Sequence, residues 1–263
     1  MRNEGGTGVM QNAPIIGIIS PPDWFDPSVD EFRSLCASDV RMQQTMVSRA
    51  GLNYDDLNDI AAAAPDVADA ARLLGHAGAR VIGMTGTPFV WAGLSSRSDI
   101  LDRQARIAAA AGCDVCMAGT ALVDALRALG ARQIAVAAPY YTERWCAQTR
   151  LALSTFGFDV LSIASADRLS GRDKIGGIAD HHKASDMATV RHLLESLRED
   201  APEADAMVVA GAGVRMLNAT PEFEAALGCP VVSSDTALYF AVMQASGLRP
   251  RPGLLGWMAD ALR

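Results

Sequence analysis

Four short segments of the 263-residue chain put glycine, proline or hydroxyl residues directly after apolar runs: Ser20-Pro21-Pro22-Asp23, Thr85-Gly86-Thr87-Pro88, Pro139-Tyr140-Tyr141-Thr142 and Ala210-Gly211-Ala212-Gly213. Glycine at the end of a strand lets a ligand approach the backbone closely, and neighbouring N–H and O–H groups can converge on a carboxylate or on the more highly charged enediolate derived from it. Taken singly, each segment reads equally well as an ordinary turn between strand and helix.

A group that titrates near neutrality is offered by the stretch Ile178-Ala179-Asp180-His181-His182-Lys183-Ala184, where two histidines lie beside an aspartate able to orient them. The same run also reads as the solvated, charged start of a helix. Cys113 and Cys116 have C-x-x-C spacing, but Gly112 to Met117 reads as a buried strand and no second ligand pair follows, so both are expected in the core. Cys116 is the one thiol expected to have access to a cleft. Asp235 reads as a helix N-cap, with a catalytic role as the weaker option. Trp24, Phe89 and Trp91 form either an apolar wall against a substrate or ordinary packing. Gly211-Ala212-Gly213 lacks the third glycine of a dinucleotide fingerprint, and there is no phosphate loop and no metal-ligand spacing beyond the histidine pair. No metal and no organic cofactor is therefore expected.

The elements that must position these residues follow from hydrophobic period. Strands are expected at Pro14–Ser20, Val81–Thr85, Gln133–Ala138, Asp159–Ile163, Ala206–Ala210 and Pro230–Ser233. Helices are expected at Tyr54–Leu74, Ser98–Ala111, Thr120–Leu129, Thr142–Phe156, Asp186–Leu197, Thr220–Leu227 and Asp235–Ala245, while residues 27–50 carry no clear pattern. This alternation predicts an α/β fold with mainly parallel sheets flanked by helices. Gly78-Ala79-Arg80 and Gly130-Ala131-Arg132 each lead into an apolar run, as two pseudo-symmetric lobes would show. The expected division is a tail at 1–13, a first lobe at 14–119 completed by a C-terminal return at 234–263, and a second lobe at 120–233, with the active site in the cleft between them at the carboxyl ends of the strands.

Half of the residues are hydrophobic, enough for a sizeable core, and the formal net charge is −7. An acidic surface argues against nucleic acid or an anionic membrane as partner, while a small carboxylate stays open as ligand because a few local donors can overrule the global field, and a homo-oligomer stays open too. Five irregularly spaced cysteines, an N-terminus without a signal-like apolar segment and the lack of a long apolar span lead to an expected cytoplasmic location.

The order of the segments resembles the arylmalonate decarboxylase and maleate isomerase group of the aspartate/glutamate racemase superfamily. The resemblance runs from Ile15-Ile16-Gly17-Ile18 with Pro21-Pro22, through Gly86-Thr87 and Gly93, to Thr120-Ala121-Leu122 and Leu126 to Arg132. It continues through Ala135, Pro139-Tyr140, Pro221-Glu222, Leu227-Gly228 and Pro230 to Ser234, and ends at Arg251-Pro252-Gly253. It implies substrate binding by Pro21, Pro22, Thr85, Gly86, Gly211, Ala212 and Gly213, with Thr87 and Tyr140 as donors at the reacting carboxylate. It also places residues near His182 at the pocket, making His182 the candidate acid/base. The racemases and maleate isomerases of the superfamily carry a thiol at each of two strand ends and the decarboxylases retain one, in the later loop. Here both are missing, since the corresponding stretches read Met84-Thr85-Gly86 and Val209-Ala210-Gly211-Ala212.

The expected function is therefore a cofactor-independent lyase or isomerase working next to a carboxylate through an enediolate-type intermediate with a non-cysteine acid/base. A hydrolase or hydratase using a His-activated water, and a silent carboxylate-binding homologue, are the alternatives.

Overall fold

The computed structural model describes residues 13–23, 26–168 and 186–261. Among the described residues eight strands form two four-stranded sheets in which every pairing is parallel. The first sheet contains β1 (Ile15–Ser20), β2 (Arg41–Met46), β3 (Val81–Met84) and β4 (Asp114–Met117), in the order β2-β1-β3-β4. The second contains β5 (Gln133–Ala137), β6 (Asp159–Ala164), β7 (Ala206–Val209) and β8 (Val231–Ser233), in the order β6-β5-β7-β8. The two orders are the same topology written twice, so β1 corresponds to β5 and β3 to β7.

The helices are α1 (Ser28–Leu35), α2 (Leu57–Ala62), α3 (Ala64–His76), α4 (Pro88–Trp91), α5 (Arg97–Ala111), α6 (Ala118–Ala128), α7 (Glu143–Thr155), α8 (Met187–Asp200), α9 (Thr220–Leu227), α10 (Ser234–Ser246) and α11 (Met258–Ala261). α10 leaves the end of β8 but packs on α6 and on β3 and β4 of the first sheet. A boundary at 119/120 falls inside the first turn of α6.

The central strands β3 and β7 are fully buried, as expected for parallel strands covered by helices on both faces, and so they stand out in sequence as unbroken apolar runs. β2 does not, because it is an edge strand whose sequence, RMQQTM, is largely exposed or half-buried. β2 and α1 occupy the segment without a clear sequence pattern. The single helix expected at Tyr54–Leu74 is two, broken at Ala63. Pro65 stands at the first turn of α3; it lacks an N–H and its ring would collide with the preceding turn if the helix ran through.

The Gly-Ala-Arg echo is not the internal repeat, since the first copy enters β3 and the second enters β5, which are not equivalent strands. Both copies are the same way of leaving a helix. The Ala79 N–H donates to the Leu74 carbonyl and the Ala131 N–H to the Leu126 carbonyl, each at 3.0 Å, closing the last turn in the same six-residue loop.

Candidate active site

The loops after β3 and β7 are equivalent by topology and carry glycine at the same place, two residues past the strand end: Gly86 and Gly211. Both have left-handed φ, +83° and +131°, where a side chain is strained. Both are also crowded. A Cβ at 86 would lie 3.0 Å from Phe89 Cδ2 and 3.2 Å from Pro21 Cγ, and one at 211 would lie 2.7 Å from Tyr140 Oη and 2.8 Å from Tyr140 Cζ. These strand ends lack a thiol; at 211 the Tyr140 ring leaves no room for one, and at 86 Phe89 and Pro21 would have to give way by a few tenths of an ångström.

The turn after β5 supplies the tyrosines that fill this space. The Tyr140 hydroxyl donates to the Ala212 carbonyl at 2.8 Å, joining the loops after β5 and β7, and the hydroxyls of Thr87 and Tyr141 are hydrogen-bonded at 2.7 Å, joining the loop after β3 to the same turn. Tyr140 and Tyr141 meet edge to face with centroids 5.5 Å apart, and Tyr141 meets Trp145 in the same way at 4.9 Å. Thr142 accepts from the Trp145 N–H as N-cap of α7, and the Trp145 indole donates to the Tyr54 carbonyl at 2.7 Å. Together they wall a narrow cleft of about 20 Å³. Pro21, Gly86 and Ala212 form its backbone side, and Tyr54, Phe89, Tyr140, Tyr141 and Trp145 its aromatic side. That is room for about one water, far below an open ligand pocket, so a small molecule enters only as the aromatic side chains draw back.

Burial, with smaller contributions from Tyr141 and Asp235, raises the Tyr140 hydroxyl well above the ordinary tyrosine range, so it remains a neutral donor at physiological pH. Burial raises Tyr141 likewise, the bond from Thr87 acting the other way.

The remaining residues expected at the site lie behind this surface. Thr85 is fully buried and its hydroxyl donates to Asp26, whose other carboxylate oxygen accepts from the Ser28 N–H at 2.9 Å. Gly213 donates its N–H to Asp235 Oδ2 at 2.8 Å, and the Gly211 N–H is 3.3 Å from Ser234 Oγ. Pro22 is buried and its carbonyl accepts from the Tyr54 hydroxyl. His182, with Asp180 and His181, lies outside the described residues, as does Trp24. Trp91 does not face the cleft: it is fully buried, packed where a Cβ on Gly119 would fall 2.9 Å from its ring.

Asp235 is not the cap of its helix. α10 begins one residue earlier than expected, Ser233 caps it, and Ser233 and Thr236 form a reciprocal capping box. Asp235 is left fully buried in the first turn. Burial, then Asp26 and Glu31, push its carboxyl well above the usual range against the lowering effect of the Gly213 N–H. The balance is understandable: a helix N-terminus favours a carboxylate by about 0.3–1 kcal/mol and a hydrogen bond to a charged group by about 1.5–3 kcal/mol. Removing an ion from water costs several kcal/mol even after relaxation, and two neighbouring acids add to it. Glu31 is held differently, by Arg215 Nε at 3.2 Å and the Tyr239 hydroxyl at 3.0 Å.

None of the cysteines lines the cleft. Cys113 and Cys116 are half-buried rather than core residues, because Cys113 precedes β4 and β4 is the edge of its sheet. Burial pushes the Cys116 thiol up to about 12 and those of Cys36 and Cys146 to about 11, so all three are protonated at neutral pH. Among the described residues no group of three or more His, Cys, Asp or Glu is placed to hold a metal ion, and no helix is long and apolar enough to cross a membrane.

A family model described as arylmalonate decarboxylase matches residues 37–257. The chain belongs to the arylmalonate decarboxylase family. It is 30% identical over 189 residues to arylmalonate decarboxylase from Bordetella bronchiseptica, covering 71% of this chain and 74% of that protein. A solved structure of unliganded arylmalonate decarboxylase superposes with a TM-score of 0.76 at 26% identity, covering 94% of this chain and 99% of that one. The fold is shared with a maleate cis-trans isomerase from Nocardia farcinica, a cysteine-to-serine mutant holding a covalently bound succinylcysteine intermediate. That superposition has a TM-score of 0.77 at 20% identity over 95% of this chain and 98% of that one. The chain is thus a member of a family of lyases whose structural neighbours include isomerases. Among these, the isomerase forms a covalent bond through cysteine, whereas this family member has glycine at both strand ends that face its cleft.

Proposed function

We propose that this protein is a cofactor-independent lyase or isomerase that acts next to a carboxylate of a small carboxylic or dicarboxylic acid, by proton transfer at carbon rather than by thiol addition. The observation that carries the reading is the convergence of the loops after β3, β5 and β7 on one small, largely aromatic cleft, with a neutral tyrosine held between two of them. In a decarboxylation the C–CO₂ bond breaks, its electron pair stays on the remaining carboxylate as an enediolate, and a proton added to the α-carbon completes the product. An isomerisation removes a proton from that carbon and returns one. In both, the extra charge on oxygen is what Tyr140, Thr87 acting with Tyr141, and the glycine loops would stabilise, provided the bonds they make to one another are exchanged for bonds to substrate. The apolar wall excludes water and strengthens those bonds. His182 is the proton carrier in this proposal, because a non-thiol group must do that work.

The experiment is incubation with malonate, alkylmalonates, arylmalonates and maleate in deuterated water, followed by product NMR. Release of CO₂ with one deuterium at the α-carbon supports a lyase and deuterium exchange at the α-carbon supports an isomerase, whereas conversion of maleate to fumarate needs addition to the double bond and would contradict the proton-transfer reading. The hydroxyls of Tyr140, Thr87 and Tyr141 are satisfied within the protein. That observation favours the alternative of a silent carboxylate-binding homologue, which saturable binding without turnover would establish. Hydrolysis or hydration without exchange at carbon would select the His-activated water instead.

A further inference from the structure

We propose that Asp235 is a positioning residue for the cleft, bracing the Gly211–Gly213 turn from behind as Asp26 braces Thr85; the proposal rests on the reading of these loops as the substrate cradle. The two aspartates reach loops that are equivalent by topology. Asp26 accepts from the Thr85 hydroxyl after β3, and Asp235 accepts from the Gly213 N–H after β7. Capping does not account for Asp235, since Ser233 and Thr236 perform it. Nor does pairing, since Asp235 Oδ1 is buried without a hydrogen-bond partner among the described residues.

An orphan acceptor on a fully buried acid is costly if it is charged and tolerable if it carries a proton. The groups facing Asp235 favour the proton. Asp26 and Glu31 are acids from the segment at the start of α1, and Tyr140, Tyr141 and Tyr239 interact with it from the turn after β5 and from α10 itself. The nearby cation Arg215 is bound to Glu31. A neutral Asp235 keeps the Gly213 turn, and through the Ala212 carbonyl the Tyr140 hydroxyl, in one arrangement without adding negative charge beside an anionic ligand. Ionisation at high pH would place that charge under the cradle and weaken carboxylate binding.

Two variants separate this from a purely structural role. Asp235→Asn keeps an acceptor for Gly213 and stays neutral, and Asp235→Ala removes the brace. Amide hydrogen exchange at Gly213 should remain slow in the Asn variant and accelerate by about 10-fold or more in the Ala variant, as for loss of a local hydrogen bond. Malonate, titrated against tryptophan fluorescence, should bind the native protein less tightly as pH rises. The Asn variant should bind it within about 3-fold of native at low pH with a flatter pH dependence, because the titrating group is gone. Unchanged Gly213 protection in the Ala variant overturns the proposal, as does an Asn variant with the native pH dependence. Should the Ala variant not fold, the Asn variant's exchange and pH dependence decide alone. If malonate binds to no form, the substrate reading fails, and the exchange result still decides whether Asp235 braces the turn.

Discussion

The Cβ that any residue other than glycine would carry at position 211 falls 2.7 Å from the hydroxyl oxygen of Tyr140. The side chain of the turn after β5 thus occupies the space that a side chain in the loop after β7 would need. Tyr140 in turn is fixed by its bond to the Ala212 carbonyl, one residue on.

Restoring a side chain at this strand end should therefore damage the fold rather than create a thiol site. Gly211→Ala and Gly211→Cys should each lose about 2–4 kcal/mol, combining left-handed strain with overpacking. Gly228→Ala makes a control: Gly228 also has left-handed φ, +67°, but a Cβ there meets nothing within 4 Å, so it should lose only about 1 kcal/mol. Urea denaturation measures both. Equal losses would mean that Tyr140 moves aside without cost.

Tyr140→Phe deletes a neutral donor at the cleft, and if turnover exists it should fall by about 10²-fold or more while ground-state binding changes less. Tyr141→Phe should act on stability as well, because it leaves the fully buried Thr87 hydroxyl without its partner, at a cost of about 1–3 kcal/mol. Steady-state kinetics and thermal unfolding of the two variants check both halves. His182→Asn should abolish the limb of the pH–rate profile reporting a group near neutrality; an unchanged profile would leave His182 on the charged surface.

Iodoacetamide at neutral pH should label the protein slowly and leave activity largely intact. The reactive form is the thiolate, and burial holds Cys36 and Cys146 up to about 11 and Cys116 up to about 12. Labelling should accelerate as pH rises toward those values. Rapid, stoichiometric inactivation with label on Cys116 or Cys146 would contradict the proposed thiol-free chemistry.

Stability should carry the signature of Asp235. Its carboxyl is raised in the folded protein and ordinary in the unfolded chain, so the folded state holds more protons between those two values. The stability it contributes is complete below the unfolded value of about 3.9 and is lost as pH rises through the folded one. Relative to native protein, Asp235→Asn should gain in Tm as pH increases across that window. A constant difference in Tm at every pH would show that Asp235 does not titrate there.

Dialysis against a chelator should leave turnover unaltered. Complete loss restored by a divalent ion would require a metal site that the proposed chemistry does not use.

Much of this was legible in the sequence, for reasons that differ by element. β1, β3, β5 and β7 announce themselves because strands buried on both faces must be apolar throughout, and the glycine and tyrosine turns after them follow directly in the chain. Residue types alone also establish that no thiol stands at either strand end. β2 is hidden because an edge strand needs no apolar code, and the break at Ala63 depends on where Pro65 falls within a helix. What only the tertiary structure decides is which groups meet over long separations in the chain. It pairs Thr87 with Tyr141, Tyr140 with Ala212, Thr85 with Asp26 and Gly213 with Asp235. An aspartate's place in a sequence can suggest a helix cap. Whether it instead becomes a buried acid depends on desolvation and on neighbours brought from other elements, which local sequence does not encode.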